Sequence, residues 1–188
     1  MNPIILASQS PRRKQLLREM GLKIKVVPAN IKENPGKIFF AAKIKKIAYD
    51  KAAFVAKKFK KGIVIGADTV VVVNNKVYGK PKDIPHARKM LAEISGKRQY
   101  VYTGVAVIDI EKKKEIVILA KSVIKMIKLT KADIEHLANK NLDKAGGYGI
   151  QEDDTYLRIV SGSVTNVVGL PVEMVGKILR KLGVFITE

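Results

Sequence analysis

Residues 63–73 form a nearly continuous apolar run, interrupted only by Gly66-Ala67-Asp68-Thr69. A run of this kind is typical of a strand that is buried within a sheet. A shorter apolar run, Ile4–Ser8, predicts a second buried strand. Segments with helical spacing lie between the predicted strands, and this interleaving predicts an α/β fold.

The predicted helices are marked by capping residues or by apolar spacing. Ser10-Pro11 predicts a helix start, with Ser as the N-cap and Pro at the first helical position. Residues 38–59 place apolar side chains, Phe40 among them, on one stripe and lysines on the opposite face. Further helices are predicted at about 83–94, 130–141 and 170–182.

Turn residues and alternation predict the remaining strands. Asn74-Asn75 predicts a hairpin turn. Residues 100–110 and 115–127 predict two long strands joined by a turn, and long hairpins favour a mixed sheet. No repeat or flexible linker divides the chain, so residues 1–188 are predicted to form one domain. Other strands are predicted at 24–28 and 156–160.

The composition excludes several classes of protein. The chain has no cysteine, which excludes a disulfide framework, thiol catalysis and a cysteine-ligated zinc site. Tryptophan is absent and aromatic residues make up 6%, which leaves few platforms for stacking single-stranded nucleic acid. No apolar run approaches the roughly 20 residues that span a membrane, and the N-terminus is unlike a secretory signal. We therefore expect a soluble cytoplasmic protein.

The charge is strongly positive, with 36 basic against 17 acidic side chains and a net charge of +19. Residues 1–62 contain 16 of the basic and only 3 of the acidic residues. A basic field attracts nucleic acid, anionic lipid or phosphorylated small molecules. Most of the basic residues are lysine, however, which is common on the surfaces of heat-adapted proteins and reads bases less well than arginine. Charge alone does not decide the function.

The segment from Leu6 to Arg13 is a candidate phosphate site. A strand that leads into a helix N-terminus offers unpaired backbone N–H groups at the positive end of the helix dipole. Ser8 and Ser10 add hydroxyl donors, and Arg12 and Arg13 add guanidinium groups that can grip phosphate. The alternative is a capped helix with a basic first turn, but cations at this end oppose the dipole, which favours a bound anion.

Asp68 is a candidate metal ligand or catalytic carboxylate. It interrupts an apolar strand, where an unpaired carboxylate is costly. A bulge or a buried ion pair with a lysine would also explain it, but a carboxylate beside a glycine break in a central strand is well placed to hold Mg²⁺ or a water. Glu33 is one of few acids in its region and is a candidate second ligand, although a solvated loop glutamate is the simpler interpretation.

Two further segments could contact a ligand. Lys80 lies in a Gly-Lys-Pro turn after the predicted hairpin, whereas nothing in the spacing singles out Lys51. Residues 145–151, Ala-Gly-Gly-Tyr-Gly-Ile-Gln, form a loop whose glycines permit close approach and whose Gln151 could pair with a base edge. A plain tight turn is the alternative.

These segments occur together and in order, and through them the chain resembles the Maf family of nucleotide pyrophosphatases. The resemblance covers nearly the whole chain. Its motifs are LASQSPRR, GADTVVVV, YGKP, SGKRQYVYTGVAV, LDKAGGYGIQ and SGSVTNVVGLPVE.

The resemblance implies hydrolysis of a nucleoside triphosphate to the monophosphate and pyrophosphate with a divalent metal, Mg²⁺ or Mn²⁺. The family is described as house-cleaning enzymes that act on dTTP, UTP and modified pyrimidine nucleotides. The implied fold is a mixed α/β sheet with two lobes around a deep cleft, similar to the inosine-triphosphate pyrophosphatases. A homodimer is also implied.

The resemblance assigns roles to individual residues. The catalytic carboxylate falls on Asp68, which with Glu33 would bind the metal. The residues that would bind substrate are Ser8, Arg12, Arg13, Lys51, Thr69, Lys80 and Gln151.

The resemblance also implies that the chain belongs to the branch acting on dTTP and UTP rather than to the branch preferring 7-methyl-GTP, on the basis of three positions: Arg12, Thr69 and Gln151. The chain departs from the family pattern at Asp50, where a Glu is usual, and at residues 152–156, where Glu-Asp-Asp-Thr-Tyr replaces glycines and small apolar residues. The acidic stretch keeps open the same chemistry on a deaminated purine such as ITP or XTP.

A nucleic-acid-binding module is the competing class, motivated by the basic first third. The lysine bias, the few aromatic residues and the lack of a recognition-helix pattern argue against it. Weak, salt-sensitive and sequence-blind binding of nucleic acid remains compatible with the charge.

Overall fold

The computed structural model describes residues 2–150 and 154–186. Two short 3-10 turns accompany the helices and strands, at Ala145–Gly147 and Asp154–Tyr156. The other elements are, in chain order, β1 (Ile4–Leu6), α1 (Pro11–Glu19), β2 (Ile24–Val26), α2 (Ala41–Ala56), β3 (Ile63–Val73), β4 (Lys76–Tyr78), α3 (Ile84–Ile94), β5 (Arg98–Asp109), β6 (Lys114–Met126), α4 (Lys131–Lys140), β7 (Leu157–Ser161), α5 (Val164–Val168) and α6 (Val172–Lys181).

The strands form one mixed sheet in the order β2-β1-β3-β5-β6-β7, with β4 paired to β3 as a hairpin. β1 runs parallel to β2 and to β3, whereas the β3–β5, β5–β6 and β6–β7 pairs are antiparallel. The β3–β4 turn is the predicted one, with Asn74 and Asn75 at φ of 48° and 64°. The predicted α/β class with a mixed sheet is therefore confirmed.

β3 extends through both lobes of the molecule. Its first half, Ile63–Ala67, packs against α1 and α6 on one face and against α2 on the other. Near its far end, Val71 and Val73 pack with α3 and α4 in a separate apolar cluster. Asp68 and Thr69 lie on β3 between these two cores, where the lobes meet.

Two glycines allow α2 to lie unusually close to the sheet. A Cβ at Gly66 would be 2.3 Å from the carbonyl oxygen of Ala48, and one at Gly104 would be 2.6 Å from that of Ile44. The interpretation of Gly66 as a break in the central strand is wrong, because β3 continues through it. Glycine is required at position 66 because the backbone of α2 packs directly against it.

α2 begins later than predicted. Its first residue is Ala41, and Phe40 is 60% exposed instead of sharing the buried stripe. The physical reason is a competing set of contacts: the Phe39 amide donates to the carbonyl oxygen of Asn75 at 2.9 Å, and the Phe39 ring stacks on Tyr102. These contacts hold the segment before α2 extended against the β3–β4 hairpin.

The end of the chain contains a helix that the sequence pattern did not indicate. α5 is only five residues long and is capped by Ser163, and the final helix begins at Val172 rather than at Leu170. No helix within residues 2–150 and 154–186 is both long and apolar enough to cross a lipid bilayer.

Candidate active site

A cleft of about 840 Å³ opens between the two lobes. It is bordered by the end of β1, the start of α1, the middle of β3 and the loop that follows α4. Gln151, predicted to contact the substrate, lies outside the described residues, as do Glu152 and Asp153 of the acidic stretch. The remaining eight predicted site residues all line this cleft: Ser8, Arg12, Arg13, Glu33, Lys51, Asp68, Thr69 and Lys80.

Lys51 links the two candidate metal ligands. Its Nζ donates to Glu33 Oε2 at 2.7 Å and to Asp68 Oδ1 at 3.2 Å, and the lysine is only 5% exposed. The close packing of α2 on β3 brings Lys51 to this position. The buried ion pair that we considered as an alternative explanation of Asp68 is therefore present, and it lies inside the cleft together with the other candidate residues.

Asp68 retains an oxygen that the protein does not satisfy. Its Oδ2 is buried and has no hydrogen-bond partner among the described residues. Burial raises the pKa of the Asp68 carboxyl, and the positive charges of Lys51 and Arg13 only partly offset this. A buried carboxylate oxygen without a donor is costly, so this atom is positioned for a ligand: a cation or a water.

Glu33 differs from Asp68 because it is partly exposed. Burial by itself would raise the pKa of Glu33, but the hydrogen bond and the charge of Lys51 lower it. Glu33 is thus held ionised at the rim while Asp68 lies deeper. Carboxylate oxygens are the ligands that Mg²⁺ prefers, and it commonly takes one or two of them, with the rest of its shell from water and substrate phosphate. The unpartnered Asp68 Oδ2 and the partly exposed Glu33 carboxylate fit such a two-carboxylate site.

Arg13 is held by three protein acceptors. Its Nε donates to the carbonyl oxygen of Gly169 at 2.9 Å, and its two Nη atoms donate to Ser8 Oγ at 3.1 Å and Thr69 Oγ1 at 3.0 Å. Burial lowers the pKa of Arg13, opposed by the negative charges of Asp68 and Glu33. Because guanidinium has five N–H donors, two are left without an acceptor among the described residues.

The start of α1 is capped by Ser10, as predicted, and Arg12 in its first turn pairs with a carboxylate that the sequence did not indicate. Ser10 Oγ accepts from the backbone N–H of Arg13, and the backbone N–H of Ser10 donates to Ser8 Oγ at 3.2 Å. Arg12 forms an ion pair with the Asp143 carboxylate, and its second Nη donates to the Asp143 carbonyl oxygen at 3.1 Å. The protein itself therefore supplies an anion to Arg12, the first of the paired arginines.

The remaining predicted residues differ in their surroundings. Lys80 is exposed at the cleft rim, in a turn whose Gly79 carbonyl oxygen accepts from the Gly146 amide at 3.0 Å. Thr69 shares a hydrogen bond with Thr103, which the sequence did not indicate as a site residue. Sequence reasoning did not identify three residues that contact the predicted site residues: Asp143, Thr103 and Asn166. Each lies within a motif of the family resemblance, but its contact with the site depends on the tertiary fold.

Comparison with known proteins agrees with the family resemblance seen in the sequence motifs. Residues 3–182 match the family described as Maf-like protein. The chain is 40% identical over 181 residues to the dTTP/UTP pyrophosphatase of Elusimicrobium minutum, covering 96% of this chain and 98% of that protein. A protein of the same name from Thermosipho melanesiensis is 44% identical, with 94% of this chain and 96% of that protein covered.

A third relative and a solved structure extend the comparison. The dTTP/UTP pyrophosphatase of Methanosarcina barkeri is 40% identical, covering 100% of this chain and 98% of that protein. The solved structure of the Staphylococcus aureus Ham1 protein superposes with a TM-score of 0.59 at 12% identity, covering 96% of this chain and 99% of that one. At that identity the likeness is one of fold alone, and it confirms the predicted fold class.

Proposed function

The chain belongs to the Maf family, and on that premise we propose that it hydrolyses dTTP and UTP to the nucleoside monophosphate and pyrophosphate. One observation carries the proposal: the cleft brings a carboxylate pair, bridged by Lys51, and a buried arginine to the same junction between the lobes. The names of relatives that are about 40% identical over almost the full chain support the same reaction and the same substrates.

The positive side chains of the cleft would bind the triphosphate. Arg13 has two N–H donors left for phosphate oxygens, and Arg12 would exchange Asp143 for phosphate. The backbone N–H groups at the start of α1 add a further anion site. Lys80, exposed at the rim, would neutralise the pyrophosphate as it leaves.

Asp68 and Glu33 would hold a divalent cation, Mg²⁺ or Mn²⁺, which when bound supplies positive charge beside the phosphates. Asp68 would also orient the attacking water and accept its proton through the carboxylate oxygen that lacks a donor. A bond forms between the water oxygen and the α-phosphorus, and the bond to the α–β bridging oxygen breaks. Pyrophosphate leaves with that oxygen, and no covalent enzyme intermediate is needed.

The test is pyrophosphate release from dTTP, UTP, CTP, ITP, XTP and 7-methyl-GTP, with Mg²⁺ or Mn²⁺ and with an EDTA control. We expect turnover of dTTP and UTP that EDTA abolishes. Turnover confined to ITP or XTP would favour the deaminated-purine alternative. An absence of turnover from folded protein would overturn the proposed function.

Asp68→Asn provides the matched variant for the reaction. It removes the carboxylate charge while keeping the shape of the side chain, so we expect turnover to fall by roughly 10²-fold or more with an unchanged circular dichroism spectrum. A folded Asp68→Asn protein with full activity would exclude Asp68 as the catalytic carboxylate.

We also propose that the protein acts in the cytoplasm, as its composition indicates, and that it is a homodimer, as the family resemblance implies. Light scattering on the eluting peak of a sizing column distinguishes a dimer from a monomer. A single species at the monomer mass of 20.8 kDa would contradict the dimer.

A further inference from the structure

A carboxylate of the protein lies between two positive side chains in the cleft. The Asp143 carboxylate forms an ion pair with Arg12 through Oδ2, and its other oxygen, Oδ1, lies 3.8 Å from Lys144 Nζ. All three residues line the cleft. The family resemblance gives Lys144 no role, and neither does the proposed reaction.

The two cations act together on this carboxylate. Burial by itself would raise the pKa of the Asp143 carboxyl, but the hydrogen bond and charge of Arg12 and the charge of Lys144 lower it. A phosphate oxygen is negatively charged and accepts from the same N–H donors as a carboxylate oxygen. Asp143 thus occupies a position that an anionic group of a ligand can take in its place.

The loop that contains Lys144 holds it in place. Lys144 is 8% exposed, its Nζ donates to Asn141 Oδ1 at 2.5 Å, and its backbone N–H donates to the carbonyl oxygen of Asn141 at 3.1 Å. The carbonyl oxygen of Lys144 accepts from the Gly147 amide at 3.1 Å. Because the backbone is anchored on both sides, the ammonium group stays at the cleft instead of moving through solvent as that of an exposed lysine does.

Arg12 and Lys144 belong to different lobes. Arg12 lies in the first turn of α1, whose Leu16 and Leu17 pack in the apolar core of one lobe. The loop of Lys144 packs in the core of the other lobe through Tyr148. An anion held by both cations would therefore join the two lobes across the cleft.

We propose that Lys144 is a further phosphate-binding residue, which with Arg12 holds one phosphate group of the nucleotide from the opposite side of the cleft once that group has displaced Asp143. This inference rests on the proposed function. Because Lys144 is fixed before the substrate arrives, it should stabilise the bound substrate and the transition state equally. Its contribution should therefore appear in KM and not in kcat.

The experiment measures the binding of inorganic pyrophosphate by calorimetry in EDTA, so that neither a metal nor turnover contributes. Lys144→Met removes the charge and keeps most of the apolar stem, whereas Lys144→Arg keeps the charge. Lys131→Met is the matched control, because Lys131 is exposed on α4 and does not line the cleft. Melting temperatures establish that each variant is folded. If Lys144→Met does not fold, Lys144→Gln, which can still donate to Asn141, replaces it.

We expect Lys144→Met to lower the affinity for pyrophosphate about tenfold, the effect of one lost charge-assisted hydrogen bond. KM for UTP should rise by a similar factor with kcat nearly unchanged. Lys144→Arg and Lys131→Met should stay close to the wild type. Combining Lys144→Met with Arg12→Met should cost less than the product of the two single effects, because both cations hold the same phosphate.

Each result bears on one proposal or the other. A wild type that binds pyrophosphate but turns over no nucleotide contradicts the proposed function, and the affinities of the variants still test Lys144. An unchanged affinity in Lys144→Met, or a wild type that binds no pyrophosphate, overturns the inference. An equal fall in Lys131→Met would also overturn it, since the effect would then belong to the net charge. Fully independent effects of Lys144→Met and Arg12→Met would exclude the shared phosphate.

Discussion

At the scale of single residues, Lys51 compensates the negative charges of the two carboxylates in the cleft. It is the cation in contact with both Asp68 and Glu33, and it is nearly inaccessible to water. Removing one partner from a buried ion pair leaves an uncompensated charge, which costs more than the pair itself contributes. Lys51 therefore has a role in the protein's own electrostatics in addition to the predicted role in binding phosphate.

Lys51→Met should destabilise the protein by about 3 kcal/mol, at the low end for a broken buried pair because Glu33 is partly exposed. The two carboxylates then lack a cation, so Mg²⁺ should raise the melting temperature of Lys51→Met more than that of the wild type. Thermal unfolding with and without Mg²⁺ measures both effects. Lys51→Arg, which keeps the charge, is the control. The absence of any Mg²⁺ effect on either protein would contradict the two-carboxylate metal site.

Asp143 forms an ion pair with Arg12, a residue that we propose binds phosphate. The pair joins the start of α1 to the loop after α4, on opposite sides of the cleft, and the Asp143 side chain is 57% exposed. An incoming phosphate must displace this carboxylate. Asp143→Asn should therefore lower KM for UTP by roughly two- to fivefold, the contribution expected of an exposed ion pair. Steady-state kinetics measure this, and a raised KM would mean that Asp143 orients Arg12 for the substrate.

At the scale of elements, the contact between α2 and the sheet positions Lys51. Gly104 on β5 lies under the backbone of α2, and a methyl group there would be 2.6 Å from the carbonyl oxygen of Ile44. Backbone atoms of a buried helix cannot move aside independently, so the whole helix must shift. A shift of α2 would carry Lys51 away from Asp68, and this couples packing to the chemistry of the cleft.

Gly104→Ala should destabilise the protein by roughly 1–3 kcal/mol, as expected for overpacking, and should also lower activity. Gly79→Ala is the matched control for stability, because a Cβ at Gly79 meets nothing within 4 Å. Urea unfolding of both variants measures the difference. If Gly104→Ala were as stable as Gly79→Ala, the close approach of α2 would not matter for folding.

Local signals made most elements predictable, and non-local contacts explain the failures. The Ser10 cap and the Asn74-Asn75 turn need only neighbouring residues, and both were predicted correctly. The start of α2 was misplaced because a hydrogen bond to the hairpin competes with the helix pattern. α5 has five residues, too few to show a helical period.

The candidate site was predictable as a set of residues but not as a set of contacts. Arg12 and Asp143 are 131 positions apart in the sequence, and no local pattern relates them. The pairing of Lys51 with Asp68 depends on a helix lying close to a strand. Residue types and motif order therefore led to the correct cleft, whereas the hydrogen bonds within it required the fold.

At the scale of the whole molecule, part of the net charge of +19 lies away from the cleft. Four exposed lysines lie just after α2, separated only by Phe59: Lys57, Lys58, Lys60 and Lys61. The next residue, Gly62, packs against Pro3 before β1, whereas the cleft lies beyond the other end of β1. An anion bound to these lysines would therefore leave the cleft open.

This charge predicts weak binding of nucleic acid that depends on salt and not on sequence. Each phosphate contact releases a counterion, so affinity for DNA should fall steeply as the salt rises towards about 0.15 M. Fluorescence anisotropy with two labelled oligonucleotides of unrelated sequence measures the salt slope and the sequence preference. Replacing Lys57, Lys58, Lys60 and Lys61 by Glu should weaken binding and reduce the slope while pyrophosphate release is retained.

The same DNA titration discriminates between a nucleotide pyrophosphatase and a nucleic-acid-binding module. Asp68→Asn leaves the surface lysines unchanged, so it should bind DNA like the wild type although it is inactive. If binding survived physiological salt and favoured one sequence, the positive charge would belong to a specific nucleic-acid site. Binding lost at that ionic strength would leave the lysines as a solvated surface, because a nonspecific electrostatic contact cannot compete with the salt of a cell.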